Sequence, residues 1–206
     1  GHLASNLGIV ELTIGLHYVF DAPKDKFVFD VSHQTYCHKI LTGRKDAFIK
    51  KENYKDVTGF SNPKESEHDL FALGHTSTSI SLACGLAKAR DLKHGSENVI
   101  AIIGDASLDG GEAFEALNCA AEINSNLIVV INDNEMSIPE NHGALGRHLK
   151  QLKESAGKQK DNFFKALGFE YHLIENGNDL ESVIKELKSV KDTKVPVVVH
   201  VCTKKG

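Results

Sequence analysis

The sequence predicts an α/β domain in which a mostly parallel sheet is flanked by helices on both faces. Three observations lead to this prediction. Apolar runs rich in β-branched residues alternate along the chain with runs whose apolar residues recur every three or four positions. The links between them are mostly short, which favours strand–helix–strand units. With 206 residues, 41% of them hydrophobic and 25% charged, the chain is long enough to bury such a core.

Short apolar runs predict the strands of this sheet. Continuous rather than alternating apolar character is typical of strands that are buried on both faces. The runs are Phe27–Asp30, Val99–Ile103, Leu127–Ile131, Glu170–Ile174 and Pro196–Val201. Such sheets bind their ligands at the carboxyl ends of the strands, so the functional site is expected there.

Helices are predicted where apolar residues share one helical face. These segments are Leu3–Phe20, Ser79–Leu92, Glu112–Ile123, Asn162–Leu167 and Leu180–Val190. Two polar stretches interrupt the alternation: residues 45–67 are expected to form a surface excursion and residues 143–160 a mobile link. Neither stretch is followed by the pattern of a separate core, so residues 1–206 are predicted to form a single domain.

Charge and composition exclude several classes of partner. The formal net charge of −4 gives no bulk attraction to nucleic acid or to an anionic membrane. The apolar runs are far shorter than the roughly 20 residues of a bilayer span. The chain starts at Gly1 without a signal pattern, and its four cysteines are scattered without a Cys-x-x-Cys spacing. A cytoplasmic protein with reduced thiols and with small molecules or proteins as partners is therefore expected.

Oxygen ligands stand in two turns that follow predicted strands. Gly104-Asp105-Ala106-Ser107 follows the second strand, and Asn132-Asp133-Asn134 follows the third. If these strands are parallel neighbours, Asp105 and Asn134 reach the same edge of the sheet. Their oxygens suit Mg²⁺, which leaves coordination positions for phosphate oxygens, so a phosphate-bearing ligand is predicted. Either turn alone is explained by ordinary turn chemistry, and a nicotinamide site is disfavoured because Gly104-x-Ala106 lacks the second glycine of G-x-G-x-x-G.

Together the two turns resemble the signature of thiamine diphosphate enzymes, in which GDG precedes NDN. Further motifs narrow the resemblance; they are Gly1-His2-Leu3-Ala4-Ser5, Asp30-Val31-Ser32-His33-Gln34, His38-Lys39-Ile40-Leu41-Thr42-Gly43-Arg44, Ser66-Glu67-His68-Asp69, Gly74-His75-Thr76-Ser77-Thr78-Ser79-Ile80-Ser81, Ala113-Phe114-Glu115-Ala116-Leu117-Asn118, Asn132-Asp133-Asn134-Glu135-Met136-Ser137-Ile138 and Thr203-Lys204-Lys205-Gly206. With them, nearly the whole chain resembles the 1-deoxy-D-xylulose 5-phosphate synthases, which are transketolase-like enzymes. The resemblance covers the N-terminal, diphosphate-binding domain of that family, whose pyrimidine-binding and C-terminal domains would follow Gly206.

The resemblance implies a role for each matching residue. Ligation of Mg²⁺ is implied for Asp105, Asn134 and the main-chain carbonyl of Met136. Contact with thiamine diphosphate is implied for His33, Gly74, His75, Thr76, Ala106, Ser107 and Asn134. The catalytic role of moving protons at the substrate oxygens is implied for His2, His33 and His75. His38 and His68 are left without a role, and His200 is expected to be a packing residue.

The resemblance also implies a reaction. It is the decarboxylative condensation of pyruvate with glyceraldehyde 3-phosphate, which gives 1-deoxy-D-xylulose 5-phosphate and CO₂ and supplies isoprenoid and thiamine biosynthesis. A homodimer is implied, and this transferase chain alone is expected to have little or no turnover because other essential groups belong to the later domains. Two alternatives stay open: a transketolase-like split subunit that transfers two-carbon ketol units, and a non-catalytic module that has kept the fold.

Some residues depart from the family pattern near the expected site. Ala106 stands where the motif has glycine, Ser32 replaces the glycine before His33, and Cys37 replaces a proline. The Cβ of Ala106 would be strained if the backbone there needs a positive φ, so weakened cofactor binding is expected. The connection at residues 150–161 is also much shorter than is typical of the family.

Overall fold

The computed structural model describes residues 2–134 and 143–206. Within these residues the predicted α/β architecture is confirmed, because five parallel strands form one sheet in the order β1-β2-β3-β5-β4. The strands are β1 (Lys26–Phe29), β2 (Val99–Gly104), β3 (Leu127–Asp133), β4 (Glu170–Ile174) and β5 (Pro196–Cys202). Each begins within one residue of its predicted start.

Helices occupy the segments between the strands. They are α1 (Leu3–Leu7), α2 (Val10–Val19), α3 (Tyr36–Lys39), α4 (Asp46–Ile49), α5 (Ser79–Leu92), α6 (Gly111–Ile123), α7 (Ala144–Glu154), α8 (Phe163–Leu167) and α9 (Leu180–Val190). Single helical turns lie at Ile40–Arg44, Lys51–Asn53 and Ser107–Asp109. No helix in the described ranges is both long and apolar enough to cross a bilayer.

The sheet is buried by helices on both faces. Successive side chains of β2 point to opposite sides, so Ala101 and Ile103 join one hydrophobic cluster while Ile100 and Ile102 join the other. Helices α5, α6, α7 and α8 cover the first face, and α2 and α9 cover the second. This two-sided burial explains why the strand sequences are continuously apolar.

One predicted helix is divided in two. The apolar spacing of residues 3–20 predicts one helix, but α1 ends at Leu7 and α2 begins at Val10. Gly8 lies in the break, and a Cβ added there would stand 2.8 Å from the carbonyl oxygen of Lys204. The close passage of the C-terminal backbone thus requires glycine at this point, and local periodicity carries no signal for that contact.

The prediction that residues 143–160 form a mobile link is wrong for most of the segment. Helix α7 occupies Ala144–Glu154, and Leu145, Leu149 and Leu152 are buried in the core of the first face. These leucines lie four and three positions apart, which is helical spacing. Many lysines surround these leucines in the sequence, so the apolar periodicity of this short segment was not recognised.

The excursion at residues 45–67 is attached to the body by buried ion pairs. The Lys39 ammonium is fully buried and donates to the Glu65 carboxylate and to the carbonyl of Thr58. The Arg44 guanidinium donates to both carboxylate oxygens of Asp69, at 2.8 Å each. The two cationic side chains that precede the excursion are therefore paired with two carboxylates, one near its end and one just after it.

Candidate functional site

A cleft of about 610 Å³ opens at the carboxyl ends of the strands. Its walls come from the turns after β1, β2 and β3, from the loop before α5 and from α1. The predicted site residues that line it are His2, His33, Thr76, Asp105, Ala106, Ser107 and Asn134. Segments distant in sequence therefore meet where the sheet topology places the site.

Some predicted site residues lie elsewhere. Gly74 and His75 precede Thr76 but do not line the cleft. His75 is exposed, and its ring Nδ1 lies 2.8 Å from the carbonyl oxygen of Thr76. Met136 lies outside the described residues.

Asp105 and Asn134 face the same cleft because β2 and β3 are parallel neighbours. Gly104 pairs with Asn132 in the register of these strands, and the amide of Asp105 donates to the carbonyl of Asn132 at 3.2 Å. Asp105 is only 6% exposed. Within the described ranges, no group of three His, Cys, Asp or Glu side chains is placed to hold a metal ion. The oxygen-bearing side chains that line the cleft at the ends of β2 and β3 include the carboxylate of Asp105 and the amides of Asn132 and Asn134.

The electrostatics around Asp105 are set by a second buried carboxylate. Burial and the neighbouring Asp133 raise the pKa of Asp105 to about 7. Burial also acts to raise the pKa of Asp133, but the hydrogen bond from His200 and the charge of Lys153 lower it to about 2. The raised pKa of Asp105 thus reflects both its burial and its repulsion by Asp133, and a bound cation would offset that repulsion.

The residues that support Asp133 were not predicted from the sequence. His200 Nε2 lies 2.8 Å from Asp133 Oδ2, and the Tyr171 hydroxyl lies 2.7 Å from His200 Nδ1. Because a carboxylate only accepts, Nε2 donates to it and Nδ1 accepts from the tyrosine in the neutral ring. Lys153 of α7 adds an ion pair at 3.0 Å. Asp133 stands between Asn132 and Asn134 in the sequence, and this position was the signal that could have identified it as a site residue. His200, which was expected to be a packing residue, also forms a hydrogen bond with Asp133.

The loop before α5 is held in place by Asp30 at the end of β1. Its buried carboxylate accepts from the backbone amides of Ser77 at 2.9 Å and of Ser79 at 3.0 Å. Ser77 then donates from its hydroxyl to the carbonyl of Ser107 at 2.7 Å. A side chain at Gly110 would collide with Ser77. These contacts connect the turns after β1 and β2 with the loop before α5.

His2 and His33 meet inside the cleft. Their ring centroids are 5.0 Å apart with the planes at 70°, an edge-to-face arrangement. Burial lowers the pKa of His33, and so do the charges of His2 and Lys205, while Asp30 opposes the shift. His33 therefore lines the cleft as an imidazole whose charged form is disfavoured and whose buried Nδ1 has no hydrogen-bond partner among the described residues.

The backbone at residue 106 does not need glycine. Ala106 has φ −68° and ψ −36°, an ordinary helical conformation. The strain that a positive φ would cause is therefore absent at Ala106. The left-handed residues are instead Val31 at φ 56° and Ser32 at φ 65°, directly before His33. Of the two positions where a glycine of the family pattern is replaced, 32 and 106, only residue 32 has the left-handed backbone that favours glycine.

His38 and His68 belong to a buried polar cluster behind the site. The Nδ1 of His38 lies 2.9 Å from Nε2 of His17, and its Nε2 lies 3.3 Å from the Asp69 carboxylate. The ring of His68 lies against that of His38, with centroids 6.2 Å apart. None of these histidines lines the cleft.

The four cysteines, at positions 37, 84, 119 and 202, are all free.

Comparison with known proteins identifies the family. A sequence model of the 1-deoxy-D-xylulose-5-phosphate synthase family matches residues 1–161 and 154–203. A 1-deoxy-D-xylulose-5-phosphate synthase of Listeria monocytogenes is 49% identical over 212 residues, covering 100% of this chain and 35% of that protein. One from Halalkalibacterium halodurans is 47% identical over 242 residues, covering 100% of this chain and 38% of that protein.

Solved structures show the same fold. The transketolase of Campylobacter jejuni superposes with a TM-score of 0.76 at 23% identity, over 98% of this chain and 34% of that one. The transketolase of Leishmania mexicana gives 0.75 at 20% identity, over 98% and 33%.

The chain spans between a third and two fifths of the length of these relatives. The two matches of the family model overlap at residues 154–161, and the Halalkalibacterium alignment is longer than this chain. The overlap of the two matches begins at the end of α7, within the connection that the sequence predicts to be shorter than is typical of the family. The family model covers most of the chain and the curated relatives align with all of it, so the chain belongs to the 1-deoxy-D-xylulose-5-phosphate synthase family.

Proposed function

We propose that this chain binds thiamine diphosphate through Mg²⁺ in the strand-end cleft. We further propose that the activity served is the condensation of pyruvate with glyceraldehyde 3-phosphate to 1-deoxy-D-xylulose 5-phosphate and CO₂. The observation that carries the proposal is that Asp105 and Asn134, from neighbouring strand ends, line one cleft. Because the chain spans only part of its relatives, the activity, substrates and homodimer are proposed for the whole protein.

The residues of the cleft fit a diphosphate held by a hard cation. In the proposal Asp105 supplies a carboxylate oxygen and Asn134 an amide oxygen, the ligands that Mg²⁺ prefers. The main-chain carbonyl of Met136 is proposed as a third ligand. A cation at Asp105 would also offset the repulsion between this carboxylate and Asp133, which the raised pKa of Asp105 reflects.

Backbone groups of the turn after β2 are proposed to contact the diphosphate. Ala106 and Ser107 line the cleft at the turn Ser107–Asp109, immediately before α6 begins. Amide groups near the start of a helix favour anions. Thr76 faces them from the loop that Asp30 holds. The normal backbone of Ala106 removes the main argument for a module that has lost its cofactor.

The two cleft histidines are proposed to move protons at the substrate. When bound, thiamine diphosphate supplies the carbanion stabilisation that the reaction needs. His33 is held neutral by burial and by the charge of His2, so it has both a donor and an acceptor nitrogen. His75 keeps its proposed role only through the family motif, because its ring lies outside the cleft.

Other expectations from the sequence stay predictions. They are the single domain over residues 1–206, the cytoplasmic location, the homodimer and the low turnover of this chain alone.

Calorimetric titration with thiamine diphosphate tests the proposal directly. The wild-type chain is expected to evolve heat with Mg²⁺ present and little heat with EDTA. Asp105→Asn should lower the affinity by at least tenfold, because it removes the charged ligand of the cation. Asp46→Asn is the matched control, since it neutralises an exposed carboxylate on α4.

Two outcomes would contradict the proposal. One is heat that does not depend on the metal or on Asp105. The other is no binding by the folded wild-type chain, which is the result expected of a non-catalytic module.

A further inference from the structure

The two cleft histidines come from separate segments that must be held together. His2 directly precedes α1, and His33 lies in the turn after β1. Both segments contain left-handed backbone, with φ 58° at His2 and φ 65° at Ser32. An edge-to-face ring contact contributes only about 0.5–1.5 kcal/mol beyond its buried area. The rings therefore depend on other contacts to stay together.

The side chain of Asn6 makes those contacts. It is 4% exposed, and its Nδ2 donates to the carbonyl of His2 at 3.0 Å and to that of His33 at 2.8 Å. Its Oδ1 accepts from the amide of Tyr36 at 2.9 Å. Only one orientation of the amide satisfies these contacts, because the carbonyls need donors and the Tyr36 amide needs an acceptor.

We infer that Asn6 is a positioning residue, which joins the two histidine-bearing segments so that His2 and His33 face the cleft as a pair. The role of this histidine pair at the substrate comes from the proposed function, and the inference rests on that function for this point. The contacts of Asn6 are made with protein atoms alone.

Other side chains at residue 6 cannot make the same contacts. Aspartate has the shape of asparagine but would point a second acceptor at two carbonyl oxygens. Alanine would remove the side-chain partner of the His33 carbonyl and of the Tyr36 amide, and would leave the His2 carbonyl only the backbone amide of residue 6. Gln34 offers no substitute, since its amide donates to the carbonyl of Ser5 at 3.0 Å.

The first experiment compares Asn6→Asp with the wild-type chain by NMR of the histidine rings, without cofactor. The wild type should show a nuclear Overhauser effect between the rings of His2 and His33, and Asn6→Asp should lose it. In Asn6→Ala, which adds no charge beside the ring, the pKa of His33 should rise towards its ordinary value of about 6.5. The charged groups around His33, which are His2, Asp30 and Lys205, are unchanged in Asn6→Ala, whereas the new carboxylate of Asn6→Asp would itself raise this pKa.

Two controls separate positioning from general stability. Asn162→Asp makes the same chemical change at the N-cap of α8, where Oδ1 accepts from two backbone amides and the buried Nδ2 has no partner among the described residues. Val183→Ala removes a fully buried methyl pair on α9, away from the cleft. Both should keep the ring effect and the pKa of His33. If thermal unfolding shows that Asn6→Asp does not fold, Asn6→Ala is measured in the same way.

A second measurement distinguishes failure of this inference from failure of the proposed function. With Mg²⁺ present, Asn6→Asp should bind thiamine diphosphate roughly tenfold more weakly than the wild type. A folded Asn6 variant that keeps the ring effect and the pKa of His33 would overturn the inference, as would a wild type without the ring effect. A wild type that shows the ring effect but binds no cofactor would overturn only the proposed function.

Discussion

Two consecutive residues with left-handed backbone direct His33 into the cleft. Val31 is β-branched, so its φ of 56° is unfavourable, and Ser32 follows at φ 65°. The Ser32 hydroxyl accepts from the amide of Ser61 at 2.9 Å, and its carbonyl accepts from the Thr35 hydroxyl at 2.8 Å. The surrounding loops therefore hold a conformation that the local sequence does not favour.

Substitutions at Ser32 should reveal this backbone strain. Ser32→Gly and Ser32→Ala both remove the hydroxyl, but only glycine relieves the left-handed conformation. Ser32→Gly is therefore expected to be more stable than Ser32→Ala by about 1 kcal/mol in urea unfolding. At Ala106, where φ is −68°, the change to glycine should instead destabilise by about 0.5 kcal/mol. A Ser32→Ala variant as stable as Ser32→Gly would contradict this account.

At the scale of elements, α7 links the core to the candidate site. Its leucines pack beneath the sheet, while Lys153 near its end reaches the Asp133 carboxylate. Helix α7 thus supports Asp133 from the side of β5, next to His200. A mobile segment could not hold that ion pair in a fixed position.

Truncation of Leu152 tests whether α7 is a stable part of the core. The side chain is fully buried, so Leu152→Ala should lower the free energy of unfolding by about 3 kcal/mol. Lys150→Ala, on the exposed side of the same helix, should change it by less than about 0.5 kcal/mol. Equal, small effects of the two substitutions would show that the segment contributes no packing.

At the scale of the whole molecule, buried histidines make stability depend on pH. Burial is the largest cause that lowers the pKa of His17, His33, His68 and His148. For His17, with the charges of His38 and His68 adding to burial, the pKa falls to about 4. The unfolded chain then takes up protons at higher pH than the folded protein. Stability from these groups is complete above about pH 6.5 and decreases as the pH falls towards 4.

Acid unfolding of a His17 variant should show this dependence. The free energy of unfolding of the wild type should fall between pH 6.5 and about 4, with a steeper slope than that of His17→Gln. His94→Asn replaces an exposed histidine and should leave the slope unchanged. Parallel slopes for the wild type and His17→Gln would contradict the assignment to His17.

Lower pH removes a second contribution. The hydrogen bonds from His38 and Arg44 outweigh burial and hold the pKa of Asp69 well below its usual range. This carboxylate therefore stabilises the folded protein above about pH 4, and the contribution is lost at more acidic pH.

The strands and most helices could be predicted because their signals are local. Each strand is a continuous apolar run, as in Val99–Ile103, and the oxygen ligands stand directly after two such runs. The break at Gly8 could not be predicted, because it depends on the backbone of Lys204, far away in sequence. For the same reason the sequence did not show that His75 lies outside the cleft while Gly110 lies in its wall.

The sequence by itself determined the strands, several of the longer helices and the residue types at the strand ends, since periodicity and turn chemistry act over a few residues. Only the tertiary structure placed β5 between β3 and β4, which brought His200 to Asp133, and placed α1 against the turn after β1, which brought Asn6 to His33. Those pairs join residues 67 and 27 positions apart. Contacts over such distances are chosen by how the helices and the sheet pack together, a property of the whole chain that no local pattern contains.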